Sequence, residues 1–401
     1  MSELAGEDTE GLGYDATASG LMGADAPPER PVTEMDEPAR SRLVGRQRPR
    51  DGRTGGRRAK QRRPLRLRPV SEQVIVIMGA SSGIGRATAL AAAAQGAKVV
   101  VSARDEQGLA SLVAEIEAGG GRAVAQAADV SDYDAVAAVA ARAADVFGGL
   151  DTWVHAAAVA LYSRFEETTP AEFRRVVEVN LLGQVHGALA ALPHLRRRGQ
   201  GALVHVSSIE ARRSFPYHSA YAAAKHGIEG FLEALRVELR QEAAPISVTN
   251  VLPASINTPL FDKARTKLGV KPMPIPPIYQ PETVAEVILH AAEHPVRDIV
   301  AGGAGQAYLL TQRLSPSLLD ALLVRMGFSS QRTNEPKSEE APDNLDAPLP
   351  DLATARGGLS SVVFEHSAYN WAKRHSPLRR LSSARPARPL VRDTYEPAGS
   401  R

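Results

Sequence analysis

No cysteine occurs among the 401 residues. That absence excludes disulfides, thiol catalysis and any cysteine-ligated zinc or iron–sulfur site. No apolar run reaches the roughly 18 residues that a membrane-spanning helix needs. The N-terminus opens on acidic residues with no basic-then-apolar pattern, which argues against a secretory signal. Net charge is also nearly lacking, at +3, but it is unevenly spread. Residues 1–39 hold ten acids and one base, and residues 40–68 hold thirteen bases and one acid. The rest of the chain is formally neutral, so the sequence does not point to a nucleic-acid-binding domain, which needs basic charge clustered on a folded face. Only Arg40–Arg68 has the charge to hold a polyanion, with strong salt dependence and no sequence preference.

What is present falls into three parts. Residues 1–69, rich in Gly, Pro, Glu, Asp and Arg without hydrophobic periodicity, read as a disordered leader. Residues 70–328 read as one domain, and residues 329–401 as a largely disordered tail with an aromatic island at Phe364–Trp371. Order begins at Val74–Met78, a β-branched run of the kind buried on both faces of a sheet. Further strands are expected at 97–102, 123–127, 151–156, 202–206, 246–252 and 298–301. Helices are expected at 84–95, 105–118, 133–147, 170–197 (kinked at Pro193), 219–241 and 281–293. This alternation means βαβ units and a seven-stranded parallel sheet covered on both faces. Ser315–Phe328 adds a helix candidate with an apolar stripe, suited to subunit contact, a membrane surface or docking on its own domain.

Between the first strand and first helix stands Gly79-Ala80-Ser81-Ser82-Gly83-Ile84-Gly85. Gly79 permits a sharp turn, Gly83 lets the backbone approach a pyrophosphate, and Gly85 lets the helix pack closely on the strand. The helix start offers free N–H groups and a positive dipole end. The second strand ends in Ala103-Arg104, where domains preferring NAD(H) carry an acid for the ribose 2′-hydroxyl. A small residue followed by a guanidinium suits a 2′-phosphate, so NADP(H) is expected rather than NAD(H). Arg86 is a second candidate cation. Asp129-Val130 follows the third strand; the aspartate can accept from an adenine amino group or cap the next helix.

Tyr221 and Lys225 open a long helix one turn apart, with only alanine between them. A phenol is a poor base at neutral pH, but an adjacent ammonium favours its phenolate. Ser207-Ser208 end the fifth strand, at the sheet edge where open α/β folds bind ligands. Asn180 is an isolated polar residue among apolar ones.

Together these residues resemble the short-chain dehydrogenase/reductase family over about residues 72–305. GASSGIG resembles its TGxxxGxG loop, with Met78 in place of threonine. Ser208, Tyr221 and Lys225 match its serine and YxxxK site, and Asn180 the fourth member of that tetrad. Pro253-Ala254-Ser255-Ile256-Asn257-Thr258 resembles its PGxxxT segment. One stretch departs: the family's NNAG reads His155-Ala156-Ala157-Ala158, with Ala157 beside the cofactor and His155 a structural substitute facing neighbouring backbone. The resemblance implies a Rossmann-type doubly wound α/β domain and hydride transfer between a nicotinamide and a carbonyl or secondary alcohol. In it Tyr221 is acid/base, Lys225 lowers its pKa and bonds the nicotinamide ribose, Ser208 positions substrate, Asn180 holds a relay water, and Thr258 contacts the carboxamide. It also implies a homodimer or homotetramer, and with no spanning segment the expected location is cytoplasmic, with peripheral membrane association as the variant. Residues 259–280 would close over an apolar substrate, and Arg212 and Arg213 are read as solvated surface arginines. The competing readings are a catalytically silent nicotinamide sensor on the same fold, and accessory polyanion binding by the Arg-rich leader.

Overall fold

The computed structural model describes residues 65–359 and 363–375. The expected leader, apart from residues 65–69, lies outside the described residues, as do 376–401, so the expectations placed there are not addressed by the fold.

The domain is a three-layer α/β sandwich. Its elements are β1 (Val74–Met78), α1 (Gly83–Ala94), β2 (Lys98–Ser102), α2 (Glu106–Ala118), β3 (Arg122–Ala125), α3 (Tyr133–Phe147) and β4 (Thr152–His155). There follow α4 (Pro170–Val177), α5 (Gly183–Arg198), β5 (Gly201–Val206), α6 (Ser219–Gln241), β6 (Ile246–Pro253), α7 (Pro281–Glu293), β7 (Asp298–Ala301) and α8 (Gly303–Leu314). The seven strands are all parallel, in the order β7-β6-β5-β4-β1-β2-β3. Val76 registers with Val100 on one side, and Ile77 with Val154 on the other.

Alternation along β1 divides the core. Ile75 and Ile77 face a layer holding Leu109 and Leu112 of α2, Ala89 of α1 and Val287 of α7. Val74, Val76 and Met78 face one with Val136 and Val139 of α3, Leu195 of α5, and Ile228 and Leu232 of α6. β1 is buried at every position, as a strand covered on both faces must be. The order in which strands are added reverses between β1 and β4, which opens a crevice at their C-terminal ends, the place where such sheets hold ligands.

Local sequence explains the boundaries. Asp105 caps α2 through Gly108 N at 2.9 Å, and Asp132 caps α3. Thr169 and Glu172 form a capping box at α4, with Pro170 in its first turn. The expected single helix over 170–197 instead passes through a π-turn, Glu178–Leu182, which seats Asn180 on its inner side. An inserted turn of this kind adds a residue to the helix without breaking it.

The tail departs from expectation. Residues 332–336 pair antiparallel with Val270–Pro272, and Val363–Phe364 pair parallel with Ile278–Tyr279. The aromatic island docks through Asn370, buried between Val300 O and Gly302 N, while Trp371 stays exposed. Proline- and acid-rich composition misses this order because the tail is held by main-chain pairing and single anchors rather than by a periodic apolar face. The 315–328 stripe is helical over Pro316–Leu322, with Leu319 buried and Leu318, Val324 and Met326 exposed.

Candidate active site

The glycine loop leaves β1 with Gly79 at φ +78° and enters α1 with Gly83 at φ +57°, both in the region that favours glycine. A Cβ on Gly79 would stand 2.5 Å from Ala157 Cα and N, and one on Gly85 would stand 2.1 Å from Gly79 O. The loop is therefore locked against the segment after β4. Gly83 N donates to Thr354 O at 2.8 Å; helix geometry leaves Ile84 and Gly85 N–H without intrahelical partners, aimed from the α1 start.

One continuous cavity runs from this loop to the tyrosine. Its floor includes Ser81, Ser82, Gly83 and Ile84; the end beside β2 and β3 has Arg104, Asp129 and Val130; and Ala157, Pro253 and Thr258 lie between. The expected cofactor residues are thus brought together, except that Gly85 serves helix packing. Arg86 is a correction. Its guanidinium is engaged by Glu115 at 2.7 Å, Gly108 O and Ser111, joining α1 to α2, with a long contact of 3.5 Å back to Ser81 O of the loop. Asp129 is not the α3 cap. Its carboxylate accepts from Ser131 N and Oγ and from Arg175 at 2.8 Å, with Arg104 at 3.8 Å. Burial pushes its pKa up, but these hydrogen bonds outweigh that and hold it below the usual carboxylate range.

Ser208, Tyr221 and Lys225 converge at the other end, while Asn180, the fourth expected residue, is not among the residues lining the cavity. Ser208 ends the stretch after β5, where its Oγ accepts from Glu210 N at 3.0 Å and its hydroxyl hydrogen-bonds the Tyr221 phenol. Burial, with help from the Glu210 carboxylate, raises the Tyr221 pKa well above 10, and the Ser208 bond opposes this. Lys225 donates to Val206 O at 3.1 Å, and its ammonium lies 5.2 Å from the Tyr221 ring centre. Burial pulls its pKa down to about 7, against the pull of Glu210. Asn180 is fully buried and clamps Val159, donating to its O at 2.9 Å and accepting from its N at 2.8 Å. Glu210 was not foreseen: it hydrogen-bonds His218 Nδ1 at 2.8 Å, and both line the cavity.

His155 does not reach backbone partners. Its ring stacks at 6.3 Å on His205 and packs against Gly187, where a Cβ would stand 2.4 Å from Nδ1. Full burial, then the neighbouring His205 and Lys225, hold its pKa well below normal, so the ring is neutral. It fills space behind β4 and does not line the cavity. Arg212 and Arg213 are not free surface groups: Arg212 pairs with Glu229 and Asp298, and Arg213 with Asp320.

The Tyr221 end of the cavity is walled by Tyr162, Phe215, Leu260, Phe261 and Ile275, so part of the 259–280 excursion borders the cavity. Two features escaped the sequence reading. Lys263 lines the cavity with its Nζ 3.1 Å from Ser82 Oγ. The tail crosses the Arg104 end of the cavity, where Asn344, Pro348 and Leu349 form cavity wall.

A family description for short chain dehydrogenases matches residues 73–269. An uncharacterised oxidoreductase of Bacillus subtilis, YxnA, is 39% identical over 302 residues, covering 74% of this chain and 85% of that protein. Dehydrogenase/reductase SDR family member 7B of Bos taurus is 34% identical, covering 65% and 83%. Among solved structures, an alcohol dehydrogenase from Thermococcus sibiricus complexed with 5-hydroxy-NADP is 26% identical, with a TM-score of 0.50, covering 57% of this chain and 95% of that one. A short chain dehydrogenase from Mycobacterium paratuberculosis bound to NAD is 25% identical, with the same TM-score, covering 57% and 96%.

Proposed function

The chain belongs to the short-chain dehydrogenase family, and from that premise we propose that it is an NADP(H)-dependent oxidoreductase acting on a carbonyl or secondary alcohol of an apolar substrate. The observation that carries this reading is that Ser208, Tyr221 and Lys225 line the same cavity as the glycine loop. The fit to a nicotinamide dinucleotide rests on the glycine turn that Gly79 locks against the Ala157 backbone, the free N–H groups at the α1 start, and the cavity linking them to Tyr221.

A nicotinamide held there supplies the hydride donor or acceptor, and its oxidised ring adds positive charge near the phenol. The residues do the rest. Ser208 holds the substrate oxygen against the Tyr221 hydroxyl. In reduction the phenol gives its proton to that oxygen as the carbonyl becomes an alcohol; in oxidation the phenolate takes it back. The raised phenol pKa keeps Tyr221 protonated at neutral pH, which suits the reductive direction. Lys225, when charged, stabilises the phenolate and is the hydrogen-bond donor for the nicotinamide ribose. Asn180 uses one amide proton and one lone pair on Val159 and keeps capacity for a relay water. Thr258, at the cavity wall, is the contact for the carboxamide, and Asp129 and Val130 line the adenine end.

Arg104 supports NADP(H) over NAD(H), since small Ala103 followed by a guanidinium replaces, at the end of the second strand, the acid that would serve the 2′-hydroxyl. Exposed Leu189 on α5 and Val237 on α6 support a homodimer or homotetramer formed through these helices. The test is oxidation of NADPH and NADH over a panel of ketones, aldehydes and quinones. Faster NADPH consumption with an apolar carbonyl is expected; no turnover with either cofactor would favour the silent sensor.

A further inference from the structure

Lys263 closes a single helical turn, Leu260–Lys263, just after Thr258. Although a lysine, it is 5% exposed. Its Nζ has Ser82 Oγ as hydrogen-bond partner, and no carboxylate among the described residues lies within ion-pairing distance. Its charged neighbours are satisfied differently. Lys267 pairs with Glu172 and Glu339, Lys271 with Asp262 and Glu335, and Arg265 with Asp343 and Asp346. Burial of a charge without a counter-charge is costly, and such sites ordinarily hold a partner. Burial lowers the Lys263 pKa first; Asp105 and Asp262 offset this at longer range, and the field of Arg104 adds to it.

Two cations therefore stand on one cavity wall beside the phosphate loop, and the tail fixes both. Asn344 N donates to Lys263 O at 2.9 Å, while Arg104 donates to Asn344 O at 2.6 Å and Asp346 O at 3.0 Å. Leu345, fully buried, and the Arg265 pairs anchor one end of this segment. Thr354 O on Gly83 N and Gly357 N on Asn257 O anchor the other. Neither carbonyl bond uses up the guanidinium, which has five N–H groups. Space remains beneath the segment, since Asn344, Pro348 and Leu349 border the cavity rather than fill it.

We propose that Lys263 is a second phosphate-binding cation of the dinucleotide cleft, beside Arg104, with the tail segment Asp343–Gly357 as the wall that holds it in place. The inference rests on the reading that the cleft takes a nicotinamide dinucleotide, and it adds to that reading a phosphate ligand and a retaining segment.

The test is equilibrium binding of NADPH and NADH to the full chain, followed by cofactor fluorescence, for the wild type, Lys263→Gln, Lys263→Arg and Leu345→Asp, with circular dichroism as the check on folding. Lys263→Gln is expected to raise Kd at least tenfold, and Lys263→Arg to recover most of the loss. A loss confined to NADPH assigns Lys263 to the 2′-phosphate; an equal loss for both cofactors assigns it to the pyrophosphate. Kd values within twofold of wild type for both would overturn the subsite. Leu345→Asp, which unseats the wall, is expected to weaken NADPH at least tenfold, and tighter binding would show that the segment blocks the cleft instead. Wild type that binds neither cofactor would sink the dinucleotide reading itself, an outcome distinct from a wild type that binds and a Lys263→Gln that binds equally well.

Discussion

Lys225→Met should make the cofactor-free protein more stable. Lys225 is 1% exposed, and its amine titrates at about 7 in the fold against 10.5 ordinarily. Between those values the unfolded chain holds more protons than the folded one, so stability rises with pH through that window, and below pH 7 the whole cost of burying the charge is present. That gap corresponds to about 5 kcal/mol as a ceiling. Methionine has similar bulk and no charge, but it removes one of the two donors to Val206 O, leaving Gln184 Nε2 at 3.2 Å, and that loss costs about 1–2 kcal/mol. The net gain is then about 3 kcal/mol at pH 6.5, a rise of roughly 6 °C in Tm for a domain of this size. It should shrink steadily as pH is raised toward 10. The assay is thermal unfolding by circular dichroism at both pH values. An unchanged or lower Tm at pH 6.5 would refute the argument, because the lysine would then be a stabilising part of the core. A destabilising group kept in a core is what a working site retains at the expense of stability.

Two further outcomes follow from the same geometry. Gly79→Ala forces a Cβ to 2.5 Å from the Ala157 backbone at φ +78°, so the loop must shift; NADPH binding should fall at least a hundredfold, and binding within threefold of wild type would contradict the lock between loop and β4. Glu210→Gln removes a charge that raises the pKa of both Tyr221 and Lys225. The alkaline limb of the pH profile for carbonyl reduction should move to lower pH by about half to one unit, since the phenol then loses its proton sooner. A limb that stays or moves upward would show that Glu210 does not act on the tyrosine.

Much of this fold was legible because its signals are local and repeated. The β-branched runs gave β1 and β2, the 133–147 and 219–241 periodicities gave α3 and α6, and the glycine spacing gave the α1 start. The converging residues were legible because sheet edges bring strand ends together: Ser208 follows β5, and Tyr221 opens the helix after it. What stayed hidden depends on single long-range contacts. Leu345 is one buried leucine in a polar stretch, and Thr354 and Gly357 act through main-chain atoms, which no composition reveals. Arg86 sits one residue past the loop, yet it faces α2, because helix rotation rather than sequence distance decides its direction. The π-turn at Asn180 left only one trace, a polar residue out of step with its neighbours.

The central claim is that Tyr221 is the proton donor to a substrate oxygen in an NADPH-dependent reduction. It is tested most directly by Tyr221→Phe, which keeps the ring and removes the hydroxyl. Single-turnover reduction of an apolar ketone should slow by about a hundredfold or more, while NADPH Kd stays within twofold of wild type. Turnover within threefold of wild type, with the cofactor bound normally, would contradict the claim.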